Sequence, residues 1–349
     1  MYESFGFEEL TAPQAAVYFA LILGALFGIL AERTKFCFRR GLVGDDRKQA
    51  LGVWMAALAV AIIGTQAGVA AELISFDDHR FMTSDLPIAA IILGGVMFGA
   101  GMVLTRGCAS RLTILSATGN LRALTVLLVF AVTAHSVLKG ALAPLRSGLN
   151  GVTVDMGDAI SLANLPGGTW LYAGLLALLA LAIALRSGNR PSLLLQGGLI
   201  GALVPLGWIG TGFILYDDFD PVAMESLAFT SPWTDTIFWT VAASSIPANF
   251  GLGLIGGTLA GAFLSALVAR RLEWQSFSTP QETLRYIAGA VLMGAGGVLA
   301  GGCTIGAGLS GIPTLSVAAL LTLVSITLGA LLTNAQLSSR AAAAPVPAE

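Results

Sequence analysis

The chain has 349 residues, 56% hydrophobic and only 11% charged, whereas a soluble domain carries about 25% charged residues. This excludes a soluble globular protein and points to an all-α polytopic membrane protein embedded in a lipid bilayer, and the formal net charge of -2 argues against a nucleic-acid partner. Three cysteines, odd in number and far apart, cannot close a disulfide set, and no CxxC or Cys/His cluster suggests a metal, so free thiols with no cofactor or metal are expected.

The start "MYESFGFEELTAPQ" has no basic region ahead of an apolar core, so no cleavable signal peptide is expected. Apolar stretches near the roughly 20 residues that a span requires follow at 13–31, 51–71, 87–104, 121–138, 168–185, 192–215, 251–269, 286–303 and 314–333. Nine transmembrane helices are predicted. The segment 234–247 is too short to cross and ends in Pro247, which predicts a half-penetrating or interfacial helix.

Basic residues orient these spans. Arg33, Lys35, Arg39, Arg40, Arg47 and Lys48 follow the first span and Arg270, Arg271 and Arg285 follow the seventh, while 216–235 holds acids and neither lysine nor arginine. Positive loops stay in the cytoplasm, so the N-terminus is expected outside and the C-terminus inside.

The chain repeats itself. "GAGMVLTRGC" at 99–108 matches "GAGGVLAGGC" at 294–303, and the likeness continues from Leu115 against Leu309. With nine crossings the two copies traverse the membrane in opposite senses, an inverted internal repeat. This predicts a first transmembrane half over residues 1–165, an inverted second half over 166–335, and a disordered tail over 336–349 with almost nothing to bury. Inverted repeats with helices broken at matching places are the pattern of secondary transporters. Gly24, Gly28, Gly257 and Gly261 fit close helix packing. Five glycines within Gly301 to Gly311 are too many for packing alone, because irregular backbone at membrane depth must be buried in protein or line a wet cavity.

The thiols lie in "TKFCFRRG" (Cys37), "LTRGCASRLT" (Cys108) and "AGGCTIGAG" (Cys303), each closing an apolar helix. One buried cysteine is ordinarily an inert small hydrophobe; three at comparable helix ends, two of them repeat equivalents, point to function. Arg106 and Arg111 bracket a glycine break, and freed backbone N–H groups beside a guanidinium make an anion-binding concavity. Protonated thiols are weak donors and soft contacts, which suits a soft sulfur anion better than a hard oxyanion. The predicted pathway comprises Cys37, Cys108 and Cys303 with Arg106, Arg111, Gly107 and Gly302, and Glu32, Arg39, Arg40 and Thr304 are further candidates. Glu32 closes the first span just before Cys37 and is the candidate for coupling, with a snorkelling carboxylate as the alternative. Gln66 and His135 are equally explained as helix–helix hydrogen bonds. No GxxxxGK[ST] motif is present, so no ATP-driven step is expected.

The trio "FCFRRG", "RGCASRLT" and "GGCTIGAGLSG" on a duplicated nine-crossing chain resembles the YeeE/YedE family of membrane proteins, over about residues 13–333. The resemblance implies an hourglass of inverted repeats with helices entering halfway, inner-membrane import of thiosulfate, and three cysteines at the waist that pass the ion by S–H···S hydrogen bonds. By motif these are Cys37, Cys108 and Cys303. It also implies a small cytoplasmic sulfur carrier of the TusA/SirA type as partner. Ala307 stands where the family pattern "GGCTxGHGLSG" has histidine, which leaves transport of another sulfur or selenium compound open. A membrane sulfurtransferase or thiol redox protein is the reading from another class; it requires an exposed thiol beside a resolving one, and wide spacing with apolar flanks disfavours it.

Overall fold

A computed structural model describes residues 10–217 and 219–343. Among these, nine helical segments are long and apolar enough to cross a membrane, and they coincide with the nine predicted stretches. The helices are α1 (Ala12–Thr34), α2 (Phe38–Val43), α3 (Arg47–Ala70), α4 (Ile88–Leu104), α5 (Ala109–Ala117), α6 (Leu121–Leu138), α7 (Ala143–Asn150), α8 (Gly168–Leu185), α9 (Pro191–Ile209), α10 (Ser231–Ala242), α11 (Phe250–Val268), α12 (Pro280–Leu299) and α13 (Val317–Ala343). A wide-turned helix at Thr304–Gly311 fills the gap between α12 and α13. The short helix expected at 234–247 is α10, which begins earlier and ends at Ala242. Helix α13 continues through 336–343, a stretch expected to be disordered. Gln336, Leu337 and the alanines at 341–343 are good helix formers that extend the helix past the last span; residues 344–349 of that expected tail lie outside the described residues.

Helices α4 and α12 define the symmetry of the core. A Cβ on Gly94 would lie 2.7 Å from Leu299 and one on Gly101 would lie 2.7 Å from Met293, so the two helices run antiparallel. The matching motif positions, such as Gly99 and Gly294, lie on these same two helices. Each then packs against the helix that trails the other. Gly99 rests on Ile326 and Ala330 of α13, and Gly294 rests on Phe130 and Ala134 of α6. This reciprocity is a two-fold relation between the two units.

Around that pair, α1 and α11 run parallel at backbone contact. Gly24 and Gly28 face Leu254, Thr258 and Ala262, while Gly257 and Gly261 face Leu21 and Ala25. Small residues on both partners permit this approach, where packing between helices in lipid is driven by close van der Waals contact. Phe27, Phe98, Trp54 and Phe130 are fully buried between the helices, whereas leucines of α8 such as Leu175 and Leu178 are exposed. Such an apolar exterior is what a bilayer solvates.

Candidate functional site

The three cysteines share one local structure. Helix α1 ends at Lys35 in the left-handed conformation (φ 52°), and Cys37 two residues on is the N-cap of α2. After α4, Arg106 is left-handed (φ 60°) and Cys108 caps α5. After α12, Gly301 is left-handed (φ 76°) and Cys303 caps the Thr304–Gly311 helix. In each case a long helix stops, the chain reverses its twist in one residue, and a cysteine starts a short helix. The positive ends of helix dipoles gather at these N-termini. Cys303 Sγ accepts from Gly306 N–H at 3.4 Å.

These turns converge. Cys37, Cys108 and Cys303 are all unbridged, with exposures of 6%, 1% and 1%. Cys108 interacts with Cys37 and with the Thr304 side chain, and its Sγ lies 3.3 Å from Ser110 Oγ. Thr304 is fully buried and its hydroxyl has no hydrogen-bond partner among the described residues. The Thr304–Gly311 helix therefore bridges the Cys303 position to the Cys108–Cys37 pair.

The predicted arginines divide into two groups. Arg111 lies against Cys37 and Cys108 and feels Glu32 and Arg40. Arg106 is exposed and interacts with Arg39. Arg39 has a buried Nε with no partner, and Arg40 is held by Asp46 in an ion pair. That bond to Arg40 holds the Asp46 carboxyl below its usual range. Glu32 is buried; its Oε2 accepts from Arg271 at 2.7 Å and from Ser265 at 2.8 Å. It fastens α1 to the end of α11 and does not snorkel. Gln66 donates to the Pro313 carbonyl at 2.6 Å, and His135 stacks on Phe238, so each has a packing role. Gly302 is needed for space, since a Cβ there would meet Ala307 N at 2.9 Å; Gly107 has room to 3.3 Å from Leu112. Ala307 itself is fully buried under this turn.

Above Cys303 the structure opens into a funnel that the sequence did not reveal. A cavity of about 600 Å³ is bounded by the segment between α3 and α4 and by the segment leading into α10, with Asp77, His79, Trp208 and Glu225 in its wall. A smaller cavity of about 50 Å³ adjoins it, lined by Cys303, Gly301, Gly302 and Thr230. Arg80, Ser231 and Gly306 belong to both. The walls are pinned: Ser316 Oγ donates to the Phe81 carbonyl, Ser310 Oγ to that of Leu227, and Ser226 Oγ to that of Val204. Burial, helped by neighbouring Arg80, lowers His79 to about 4, so His79 is neutral at physiological pH. Burial and the nearby Asp235 raise the Glu225 carboxyl, against the pull of Arg80. Arg80 and Glu225 were missed by motif reasoning. The available signal was a single arginine in "FDDHRF", a segment on the side where the positive-inside rule expects few basic residues.

Nine helices apolar and long enough to cross a membrane among the described residues, together with the broken helices and a funnel that reaches a buried thiol, define a multi-pass membrane transport protein. The sulphur transport family model matches residues 33–332, and the chain belongs to this family, whose function is transport and not catalysis. A protein of Escherichia coli (strain K12) named thiosulfate transporter TsuA is 26% identical over 310 residues, which cover 83% of this chain and 85% of that protein. A protein of the same name from Spirochaeta thermophila is 27% identical over 333 residues, covering 90% of this chain and 96% of its own.

Proposed function

We propose that the protein imports thiosulfate, or a close thio-anion, across the inner membrane, with its N-terminus outside and its C-terminus in the cytoplasm. The ion enters the funnel, meets Cys303, and passes Thr304 to reach Cys108 and then Cys37, where Arg111 attracts it onward. The observation that carries this reading is the threefold recurrence of a cysteine capping a short helix two residues after a left-handed residue. Protonated thiols offer weak S–H donors and polarizable surface, which match the terminal sulfur of thiosulfate. Cys108 and Cys37 interact with each other, as successive contacts on this route require.

The two halves, 1–165 and 166–335, both contribute to this route, the first through Cys37 and Cys108 and the second through Cys303. Exposed Lys35 and Arg106 near the Cys37 end provide a basic surface for a small cytoplasmic sulfur carrier of the TusA/SirA type. The test is uptake of radiolabelled thiosulfate by cells lacking their own uptake system. Expression of this chain is expected to raise initial uptake at least tenfold over vector alone; uptake equal to vector, with the protein present in the membrane, contradicts the reading. Mass spectrometry showing no persulfide on any cysteine during turnover separates it from a sulfurtransferase.

A further inference from the structure

The funnel contains one group whose bonding is incomplete. Among the described residues, no hydrogen bond or ion pair within 4 Å uses the guanidinium of Arg80; its recorded partner is the face of Phe81, 5.1 Å away. Arg80 is exposed, but it is exposed into the funnel, since it lines both cavities. Five planar donors are thus presented to enclosed solvent. Beside them, Thr230 is 5% exposed and its Oγ1 has no partner, at the wall of the smaller cavity that also holds Cys303. A buried hydroxyl left unpaired costs about 1–3 kcal/mol, so a ligand that supplies its partner is favoured. Glu225 faces Arg80 across the larger cavity without forming an ion pair.

The smaller cavity has the size of one small ion. A single water requires about 10–15 Å³ by this measure, and the cavity offers about 50 Å³. Its lining combines a cation rich in donors, Arg80, with a thiol, Cys303. A guanidinium fork fits the oxygens of an oxyanion bidentately, whereas sulfur is the soft contact.

We propose that Arg80 and Thr230 form an oxyanion receptor that captures the substrate by its oxygen end and turns its soft sulfur toward Cys303, with Glu225 as the internal carboxylate that competes for Arg80. This rests on the reading of the protein as a thio-anion importer and adds the group that selects and orients the ion. An oxyanion without a soft sulfur, such as sulfate, occupies the receptor but lacks the contact that leads onward. A lysine at position 80 keeps the charge but loses the fork.

The test is equilibrium binding of thiosulfate and of sulfate to the purified full chain in lipid nanodiscs, for the wild type, Arg80→Gln, Arg80→Lys, Thr230→Val and Glu225→Gln. Arg80→Gln is expected to weaken both anions at least tenfold, Arg80→Lys and Thr230→Val by smaller factors, and Glu225→Gln to tighten both severalfold. The opposite sign of the Glu225 variant keeps the proposal testable should Arg80→Gln fail to fold. Affinities within twofold of wild type in folded Arg80→Gln, or in Glu225→Gln, overturn the receptor, as does wild-type protein that binds neither anion. If sulfate binding depends on Arg80 while thiosulfate is neither bound nor taken up, the receptor stands and the importer reading falls. If wild-type cells take up thiosulfate and Arg80→Gln binds it unchanged, the receptor alone falls.

Discussion

Arg106 and Gly301 occupy matching positions of the two repeated units, and both adopt the left-handed conformation, one with a long side chain and one with none. The backbone reversal before the cysteine is therefore demanded by the turn and not by glycine. At Gly301 an added Cβ meets no atom within 4 Å, so Gly301→Ala carries only the left-handed penalty of about 1–2 kcal/mol. Gly302→Ala is worse, because its Cβ meets Ala307 N at 2.9 Å. Thermal unfolding in detergent should rank wild type above Gly301→Ala, and that above Gly302→Ala.

The α1–α11 contact predicts a sharp contrast between neighbours. A Cβ on Gly257 overlaps the Leu21 carbonyl, while one on Gly256 meets nothing within 4 Å. Gly256→Ala should stabilise the helix by up to about 1 kcal/mol through propensity. Gly257→Ala should lower the unfolding temperature and the yield of folded protein, since helix separation loses contacts at the order of 1–3 kcal/mol.

Glu32 and Arg271 should respond unequally to removal of either partner. The Glu32 side chain is 8% exposed and that of Arg271 is 44% exposed. Glu32→Gln leaves an arginine that can reach solvent, at a cost of about 1 kcal/mol. Arg271→Gln leaves a buried carboxylate with Ser265 alone, which approaches the roughly 3 kcal/mol seen when one partner of a buried pair is lost. Equal unfolding temperatures for the two variants would contradict this account of Glu32 as a clip.

Anion binding should depend on pH through Glu225. Its carboxyl titrates above the ordinary 4.5, raised first by burial and then by Asp235, with Arg80 opposing. Asp77, Asp78, His79 and Arg80 are the other charged or titratable groups of the same cavity. As pH falls through the raised value, Glu225 becomes neutral and stops competing for Arg80, so affinity rises on acidification. His79 stays neutral until about pH 4 and contributes charge only there. Glu225→Gln should flatten the rise above pH 4; a wild-type profile that falls on acidification contradicts the assignment.

The crossings were legible because hydropathy is averaged over whole spans, and the cysteines because the motif around Cys108 recurs around Cys303. The two-fold packing was implicit in the same glycines: Gly99 and Gly294 are motif residues and both are contact points. Arg80 was not legible. Its significance comes from the segments before α4 and α10 folding together over Cys303, and nothing local to "FDDHRF" encodes that meeting. Arg106 and Arg111 look alike in sequence, yet a left-handed turn sends the first to the surface while helix α5 carries the second against the thiols. Glu32 read as a candidate for coupling because its partner, Arg271, lies 239 positions away.

The most direct test of the pathway is initial thiosulfate uptake by cells expressing the wild type, Cys37→Ser, Cys108→Ser or Cys303→Ser at matched membrane levels. Serine keeps the shape and a donor, O–H in place of S–H, but removes the soft sulfur, so each single variant is predicted to lose at least nine-tenths of the wild-type rate. Wild-type rates in all three variants would contradict a route along the cysteines.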